Sequence, residues 1–500
     1  MREGRLLSFS GLSLERFVVS LAASALVAVL SGTALVGLRL PPALAVALVT
    51  GAAVPGALWL ARRLPSRLDG ALGRHPVLAV GWLLLAVASI GTTARLATFM
   101  VDQTRSAASV LPFDEFFVRH SCISAPFQAA LLERAGVQNV YERTHYEGPR
   151  GEPHFLDGFV IDAFFYPPPA LLLAKGALAL SEDFGMWRAV WFAAEGAIVF
   201  LALLGLACWI GNRNGLAAGL LTPVVWLSVP TLVTLQIGNF HLVAVAGAIL
   251  SMLAFERGRN ALGGLVLAVV TLTKVFPGIL ILYLLFRRQW RSAGWTIASA
   301  AGLVLLALAV LGPAPFHAFV SYQLPRLSSG EALETVFVYE VAIAANQSVY
   351  GVVQKLGLLG VPGMSGRTAA TVTWLYGLVL VGLVARAAFL DVGGARRALV
   401  WLALLQLASL RSPFVPDVYA QFALLWMLAL LLAVVGRRGR IAIALVGGLV
   451  LANLIVPNQK VMPLTLLLVL TLLQQLGFMA LCAGQILRRP EGRTTPAWSG

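Results

Sequence analysis

An acidic pair flanked by phenylalanines is the first feature of the sequence that could do chemistry. Asp114 and Glu115 lie in the stretch LPFDEFF, directly after a long apolar run. A carboxylate placed there can accept a proton from an attacking hydroxyl group. Asp114 is therefore a candidate general base, and Glu115 a candidate substrate-binding residue. The pair equally fits a solvated helix start, where Asp is a favoured cap.

A lysine inside an apolar segment is the second such feature. Lys274 stands in GGLVLAVVTLTKVFPG, residues 263–278, three residues before Pro277. An ionisable group inside a bilayer is costly unless it has a partner, and a phosphate at the membrane face is a natural partner for lysine. The alternative is a side chain that extends to the interface to reach water.

Two polar stretches in the first half of the chain could bind the hydroxyl groups of a sugar. Tyr166 precedes three prolines in FFYPPP, which preset an extended entry into a helix. Gln236, Asn239 and His241 lie in QIGNFHL, at the junction of two apolar runs. The alternatives are an interfacial aromatic anchor at Tyr166 and a simple polar turn between helices.

Two more polar stretches lie in the second half. Asn346 and Gln347 belong to the compact patch NQS, and Arg411 and Asp417 to LRSPFVPDVYAQF. Arg411 could hold a phosphate with two parallel hydrogen bonds, and the other three residues are candidates for substrate binding. A polar helix cap in the first stretch and an Arg411–Asp417 ion pair in the second are equally open.

The sequence predicts no cofactor and no metal. It contains no phosphate-binding loop, no dinucleotide fingerprint and no HExxH motif. Cys122, Cys208 and Cys482 are far apart and lack the spacing of metal ligands. Energy for any reaction must then come from the substrate, from a gradient or from no external source.

The elements that position these residues are membrane helices. Of the 500 residues, 59% are hydrophobic and 12% are charged, against about 25% charged in a typical soluble domain. The apolar residues come in runs such as 17–38 and 464–481, which match the length of a membrane helix. The net charge of +15 lies mostly in short loops, so it indicates membrane orientation and argues against nucleic acid as a partner.

The basic loops predict the orientation of the chain. By the positive-inside rule they face the cytoplasm, which places the long segments 101–163 and 314–366 outside. The loops with Asn346, Pro413 and Pro457 then also lie outside. The basic residues used are Arg2, Arg5, Arg16, Arg62, Arg63, Arg67, Arg74, Arg257, Arg259, Arg287, Arg288, Arg291, Arg396, Arg397, Arg437, Arg438, Arg440, Arg488 and Arg489.

Two apolar segments are too short for the crossings that this orientation requires. Segment 260–286 offers about 27 residues where two crossings need about 40, so it is predicted to be a hairpin whose tip stops within the membrane. Segment 165–181 begins with prolines and is either re-entrant or a full span. A full span would move the loop at Arg213 to the outside.

The order of these motifs resembles glycosyltransferase family 87, whose members use polyprenol-phosphate sugars and belong to the GT-C superfamily. The similar features are the acidic residue Asp114, VQNVYER at 137–143, FYPPPALLL, QIGN, the stretch ALGGLVLAVVTLTKVFPGILILYLLFRRQW, NQSVYG at 346–351 and RSP at 411–413. The resemblance runs from about residue 76 to 440.

The resemblance implies an all-α polytopic membrane protein with a GT-C-type bundle of about 12 or more membrane helices, of about 20 residues each, and large outer loops. Residues 1–75 would add two N-terminal membrane helices, 76–487 would form the catalytic domain, and 488–500 a cytoplasmic tail. The implied activity is an inverting transfer of a sugar, mannose in known members, from a polyprenyl phosphate to a lipid or glycan at the outer face of the inner or plasma membrane.

In this hypothesis Asp114 takes the proton of the acceptor hydroxyl, while Lys274 and Arg411 hold the departing phosphate. The partners are then the polyprenyl-phosphate donor, the acceptor and membrane lipids. Two other hypotheses stay open: a transporter or flippase for lipid-linked sugars, and a ligase or polymerase that moves preassembled glycans. A transporter would show paired broken helices in two halves, whereas the sequence has one clear broken hairpin.

Overall fold

A computed structural model of the chain describes residues 13–148, 151–390, 392–435, 439–454 and 462–488. The described chain is mostly helical, as predicted for an all-α membrane protein. Several residues used for the predicted orientation lie outside the described ranges, namely Arg2, Arg5, Arg437, Arg438, Pro457 and Arg489, as does most of the predicted tail.

The first third of the chain contains three long helices and several short ones. They are α1 (Leu14–Gly37), α2 (Pro42–Ala61), α3 (Ala71–Arg74), α4 (Pro76–Val101), α5 (Glu115–Arg119), α6 (Ser124–Arg134) and α7 (Leu171–Leu178). Three short strands lie between them: β1 (His120–Ser121), β2 (Phe155–Leu156) and β3 (Phe159–Ile161). They form one sheet in the order β1-β3-β2, in which β1 and β3 run parallel.

The middle third is a series of apolar helices. They are α8 (Phe184–Ile210), α9 (Asn212–Leu220), α10 (Thr222–Trp226), α11 (Val229–Ile237), α12 (His241–Glu256), α13 (Asn260–Thr273), α14 (Ile279–Phe286) and α15 (Trp290–Leu311). A short 3-10 helix at Phe276–Gly278 precedes α14.

The last third contains both short and long helices. They are α16 (Ala314–Ala318), α17 (Leu324–Ser329), α18 (Glu334–Phe337), α19 (Glu340–Ala345), α20 (Val349–Leu358), α21 (Gly366–Ala388), α22 (Gly394–Ser409), α23 (Asp417–Ala420), α24 (Phe422–Val435), α25 (Gly439–Asn453) and α26 (Leu464–Leu487). A π-helical turn, Phe319–Gln323, joins α16 to α17.

Eight described helices are long and apolar enough to cross a membrane, or nine if the bent pair 212–226 and 229–237 counts as one span. The chain is therefore a multi-pass membrane protein. Four further apolar helices have only 10–17 residues, so the predicted count of about 12 or more full crossings, each of about 20 residues, is not confirmed.

The bundle has a buried centre and a lipid-exposed periphery. In α24, with its preceding turn, 72% of the apolar window is buried, and in α8 the share is 56%. In α2, α4 and α15 it is at most 17%. Most residues of α12 and α22 are also buried. Helices α8, α12, α22 and α24 thus form the core that supports the site.

Contacts between basic loops confirm that segment 260–286 is a hairpin. Arg397 at the start of α22 pairs with Glu256 at the end of α12, at 2.7 Å. Arg287 after α14 donates to the carbonyls of Ala388 and Leu390 at the end of α21. Both ends of the hairpin therefore lie at one end of the bundle, with the basic loops, and its tip points into the protein.

Segment 165–181 does not cross the membrane. It forms a 3-10 turn at Pro168–Ala170 followed by the eight-residue helix α7. A helix of that length spans only about 12 Å, well short of the ~30 Å hydrocarbon core. Arg213, which follows α8, therefore stays at the same end of the bundle as the other basic loops.

Candidate active site

Lys274 lies at the tip of the hairpin, where α13 ends because its backbone turns extended (φ −137°, ψ 113°) ahead of Pro277. The ammonium nitrogen is 5.2 Å from the ring centre of Tyr166 and 5.6 Å from that of Tyr419. Within the described residues, no carboxylate oxygen lies within 4.0 Å of this nitrogen. The lysine therefore presents its charge to an aromatic recess formed by Tyr166 and Tyr419.

His241 forms one wall of this recess. Its ring stacks on Phe276 at 4.8 Å and lies 5.4 Å from the ring of Tyr419. The side chain is 3% exposed, and Nε2 has no hydrogen-bond partner within the described chain. Asn239 fixes the start of α12, since its Oδ1 accepts from the backbone N–H of His241 at 3.0 Å. Three predicted substrate-binding residues, Tyr166, Asn239 and His241, thus lie near Lys274.

A cluster of His120, Cys122 and Asp162 adjoins the recess. His120 Nδ1 is 3.3 Å from Asp162 Oδ1, and His120 Nε2 is 3.3 Å from Cys122 Sγ. One donor atom from each of the three residues lies within 4.8 Å of the others. Among the described residues, these three form the group whose ligand atoms lie close enough to hold a metal ion.

Burial dominates the electrostatics of the cluster. It raises the pKa of Asp162 above the usual range, against the lowering effect of the charges on His120 and Lys274. It also raises the pKa of the Cys122 thiol well above the usual range, and the nearby Asp162 acts in the same direction. The Asn239 amide, two residues before His241, donates to Cys122 Sγ at 3.2 Å, so the cluster adjoins the recess.

Asp114 and Glu115 lie at the outer rim of this site. Asp114 is half-buried and caps α5, since Oδ1 accepts from the backbone N–H of Phe116 at 3.0 Å. The ring of Phe116 stacks on His120 at 4.6 Å. The Glu115 side chain is 78% exposed and lies 3.4 Å from Arg119. The structure thus shows Asp114 as a helix cap next to the candidate site, and its role as a general base stays a prediction.

Gln236 connects the outer segment to the bundle. Its Oε1 accepts from the backbone N–H of Val110 at 2.6 Å, and its Nε2 donates to the carbonyl of Phe117 at 2.8 Å. Both ends of the amide are therefore bonded to backbone on either side of Asp114. Gln236 therefore positions the backbone around Asp114. These bonds do not support its predicted contact with a sugar.

Asn346 and Gln347 bond to the turn that precedes α23, the helix that carries Tyr419. The Asn346 amide accepts from the N–H groups of Ser348 and Val415 and donates to the carbonyl of Pro413. The carbonyl of Gln347 accepts from the side chain of Gln475 in α26, and its own Nε2 is buried without a partner within the described residues. These residues fix the turn between α22 and α23.

The described residues show no ion pair between Arg411 and Asp417, and each side chain has other neighbours. Arg411 is exposed, and its Nε lies only 3.0 Å from where a side chain at Gly377 of α21 would begin. Asp417 is buried in α23 and interacts electrostatically with the buried Lys355. No contact within the described residues joins Arg411 to Lys274, so the predicted shared phosphate grip lacks support from the geometry.

Sequence reasoning missed His120, Cys122, Asp162 and the buried Glu195 of α8. The spacing of His120 and Cys122 was a usable signal, because residues two apart on a strand face the same side. Asp162 gave no signal, since it joins them only through the pairing of β1 with β3, some forty residues apart in the chain.

The fold and the site define a polytopic membrane protein that holds a lysine and a cluster of titratable side chains in one recess. Residues 164–413, half of the chain, match the model of glycosyltransferase family 87. The chain therefore belongs to this family and is a glycosyltransferase. The matched segment contains Tyr166, Lys274 and Arg411, and begins after the His120–Cys122–Asp162 cluster. Neither the curated proteins nor the solved structures gave a match.

Proposed function

We propose that this glycosyltransferase moves a hexose, mannose in the family members it resembles, from a polyprenyl phosphate to a lipid or glycan acceptor at the outer membrane face. The observation that carries the proposal is the position of Lys274. It is a cation at the tip of a membrane hairpin, framed by Tyr166, Tyr419 and His241. Such a group suits a phosphate that enters from the membrane.

The surroundings of Lys274 favour a lipid-linked donor over a nucleotide sugar. Val275, the next residue, is 70% exposed, and Leu265 and Val269 on α13 are also exposed. A polyprenyl chain could leave the phosphate over this apolar surface without crossing the core. The described chain has only three strands of two or three residues, so it lacks the doubly wound sheet that commonly binds nucleotides.

The reaction is a single displacement with inversion. The acceptor hydroxyl gives its proton to the carboxylate of Asp114 and attacks the anomeric carbon from the face opposite the phosphate. The bond between that carbon and the phosphate oxygen breaks, and its electron pair leaves with the polyprenyl phosphate. Lys274 stabilises the growing negative charge. Asp114 suits the base because it lies half-exposed at the rim, where an acceptor arrives.

The test is a transfer assay with purified full-length enzyme, polyprenyl-phosphate mannose and a membrane lipid extract. Lys274→Met should lower transfer about 10²–10³-fold, as loss of a charge-stabilising group does. The matched control is Lys175→Met, since Lys175 pairs with Glu133 at 2.7 Å outside the recess. Transfer from a nucleotide sugar alone, or full activity of Lys274→Met, would contradict the proposed donor.

The general base is tested by a substitution of Asp114. Asp114→Asn should lower transfer about 10²–10⁴-fold, the usual contribution of a general base, while the thermal unfolding of the enzyme stays near that of the parent. Full activity of Asp114→Asn would remove Asp114 from the mechanism. In that case Asp162, the carboxylate with an electrostatic interaction with Lys274, becomes the next candidate.

A further inference from the structure

The strand pairing in the outer segment brings three metal-ligating side chains to one place. In the parallel pair β1–β3, His120 is opposite Val160 and Ser121 opposite Ile161, so Cys122 and Asp162 follow side by side. Since alternate residues of a strand face the same way, His120 and Cys122 project on one side. Their donor atoms and that of Asp162 lie within 4.8 Å of one another.

The cluster is held in place by two bonds from its backbone and by one further bond to the Cys122 thiol. The backbone N–H of Cys122 donates to the carbonyl of Ile237 at 2.7 Å, and that of Asp162 donates to Ser124 Oγ at 3.0 Å. Asn239 Nδ2 also donates to Cys122 Sγ at 3.2 Å. An outer layer of this kind orients the ligands of metal sites.

We propose that His120, Cys122 and Asp162 bind a zinc ion whose fourth position takes an oxygen of the donor phosphate. The ligand atoms favour zinc over other metals. Thiolate, imidazole and carboxylate together suit Zn²⁺, whereas Mg²⁺, Ca²⁺ and Mn²⁺ prefer oxygen ligands. Three protein ligands with one open position are typical of catalytic zinc sites, and structural sites are closed by four.

The charges of the site fit this occupant. A bound zinc would displace the thiol proton of Cys122 to solvent. An ionised Asp162, the thiolate, Lys274 and the divalent ion would then sum to one positive charge, which suits an anionic ligand. The 3.3 Å between His120 Nε2 and Cys122 Sγ is close to the separation of two ligands around a tetrahedral zinc with bonds of about 2.0–2.3 Å. The phosphate contact rests on the proposed function, whereas the zinc site itself does not.

Metal content is the first experiment. The full-length protein, purified in detergent with a histidine-free tag, should carry about one zinc per chain, as expected for one three-ligand site. Cys122→Ser and Asp162→Asn should lower the zinc content or affinity at least about tenfold. Cys482→Ser is the matched control, since this thiol is also buried but lies in α26. Zinc that is absent from the parent, or unchanged in Cys122→Ser, overturns the site.

Two further measurements, cobalt substitution and thermal unfolding, distinguish loss of the metal site from misfolding of a variant. Co²⁺ added to the metal-free parent and to Cys482→Ser should give a thiolate-to-cobalt charge-transfer band, which Cys122→Ser should lack. Zinc should also raise the unfolding temperature of the metal-free parent, because a ligand that binds only the folded state stabilises it. A cluster joined by hydrogen bonds alone would show neither effect, and that result overturns the proposal.

The phosphate contact has its own readout. Chelation should abolish transfer from polyprenyl-phosphate mannose, and added zinc should restore it. Full transfer by a chelated enzyme that binds zinc when it is supplied would overturn the contact between zinc and phosphate, and would leave the proposed function intact. A zinc-loaded enzyme that fails to transfer would count against the proposed function, and the zinc site would stand.

Discussion

The ammonium nitrogen of Lys274 lies 5.2 Å from the centre of the Tyr166 ring, and this contact joins the tip of the hairpin to the turn that precedes α7. The Tyr166 ring packs in turn against Phe164 and Phe240. The aromatic frame therefore positions the cation from the side opposite to its own helix. If Lys274 binds the donor phosphate, the frame should control donor affinity.

Removal of the Tyr166 ring tests this relationship. Tyr166→Leu should raise the donor KM about 2–30-fold, since a cation–π contact contributes about 0.5–2 kcal/mol. Tyr166→Phe keeps the ring and should stay near the parent enzyme. The control is Tyr322→Leu, because Tyr322 makes an equivalent contact with Arg326, at 4.7 Å, elsewhere in the outer region. An equal KM for Tyr166→Leu and the parent would deny the frame a role in donor binding.

A substitution of Gln236 distinguishes a structural role of this residue from a role in sugar binding. Gln236→Ala leaves the N–H of Val110 and the carbonyl of Phe117 without their partner. Each unsatisfied buried group costs about 1–3 kcal/mol, so the loss of both partners should lower the unfolding free energy in detergent by about 2–6 kcal/mol in total. A residue that only binds sugar would leave this free energy unchanged and alter KM alone, and that pattern would restore the prediction made from the sequence.

Local sequence carried enough information to find Lys274 and Tyr166. A lysine between apolar runs and a tyrosine before three prolines are unusual wherever the chain places them. The amides of Gln236 and Asn346 were found for the same reason, but sequence cannot tell whether an amide bonds to a ligand or to the backbone. In the structure both bond to backbone.

The remaining parts of the site depend on contacts between distant segments. Asp162 meets His120 through a strand pairing, and Cys122 is held by the carbonyl of Ile237 and the amide of Asn239, which lie much later in the chain. The predicted count of about 12 or more crossings stays unconfirmed, because the apolar helices α12 and α13 have only 16 and 14 residues, fewer than a full span needs. An apolar composition is expected both of a helix surrounded by lipid and of a helix buried in the protein core, so it does not distinguish the two.

Gly238 illustrates how the turn in QIGN positions Asn239 and His241. Its φ is +69°, and an added Cβ would lie 3.0 Å from Trp191 and 3.1 Å from Ile123. Gly238→Ala should lower the unfolding free energy by about 2–4 kcal/mol, from about 1–2 kcal/mol of left-handed strain plus overpacking. Gly258→Ala is the matched control, since it has φ +72° and no atom within 4 Å. An equal loss of unfolding free energy in both variants would show that contacts of the added methyl group with Trp191 and Ile123 do not contribute.

The predicted orientation can be tested with single cysteines placed at opposite ends of the bundle. Phe113 is 85% exposed beside Asp114, and Arg291 is exposed at the start of α15, next to the basic loops. In a Cys208→Ser background, which removes the exposed native thiol, Phe113→Cys should react with a membrane-impermeant maleimide in intact cells. Arg291→Cys should react only after the membrane is permeabilised, because basic loops stay in the cytoplasm. The reverse pattern would place Asp114 and the hairpin tip towards the cytoplasm, and an acceptor from the outer leaflet could then not reach the proposed base.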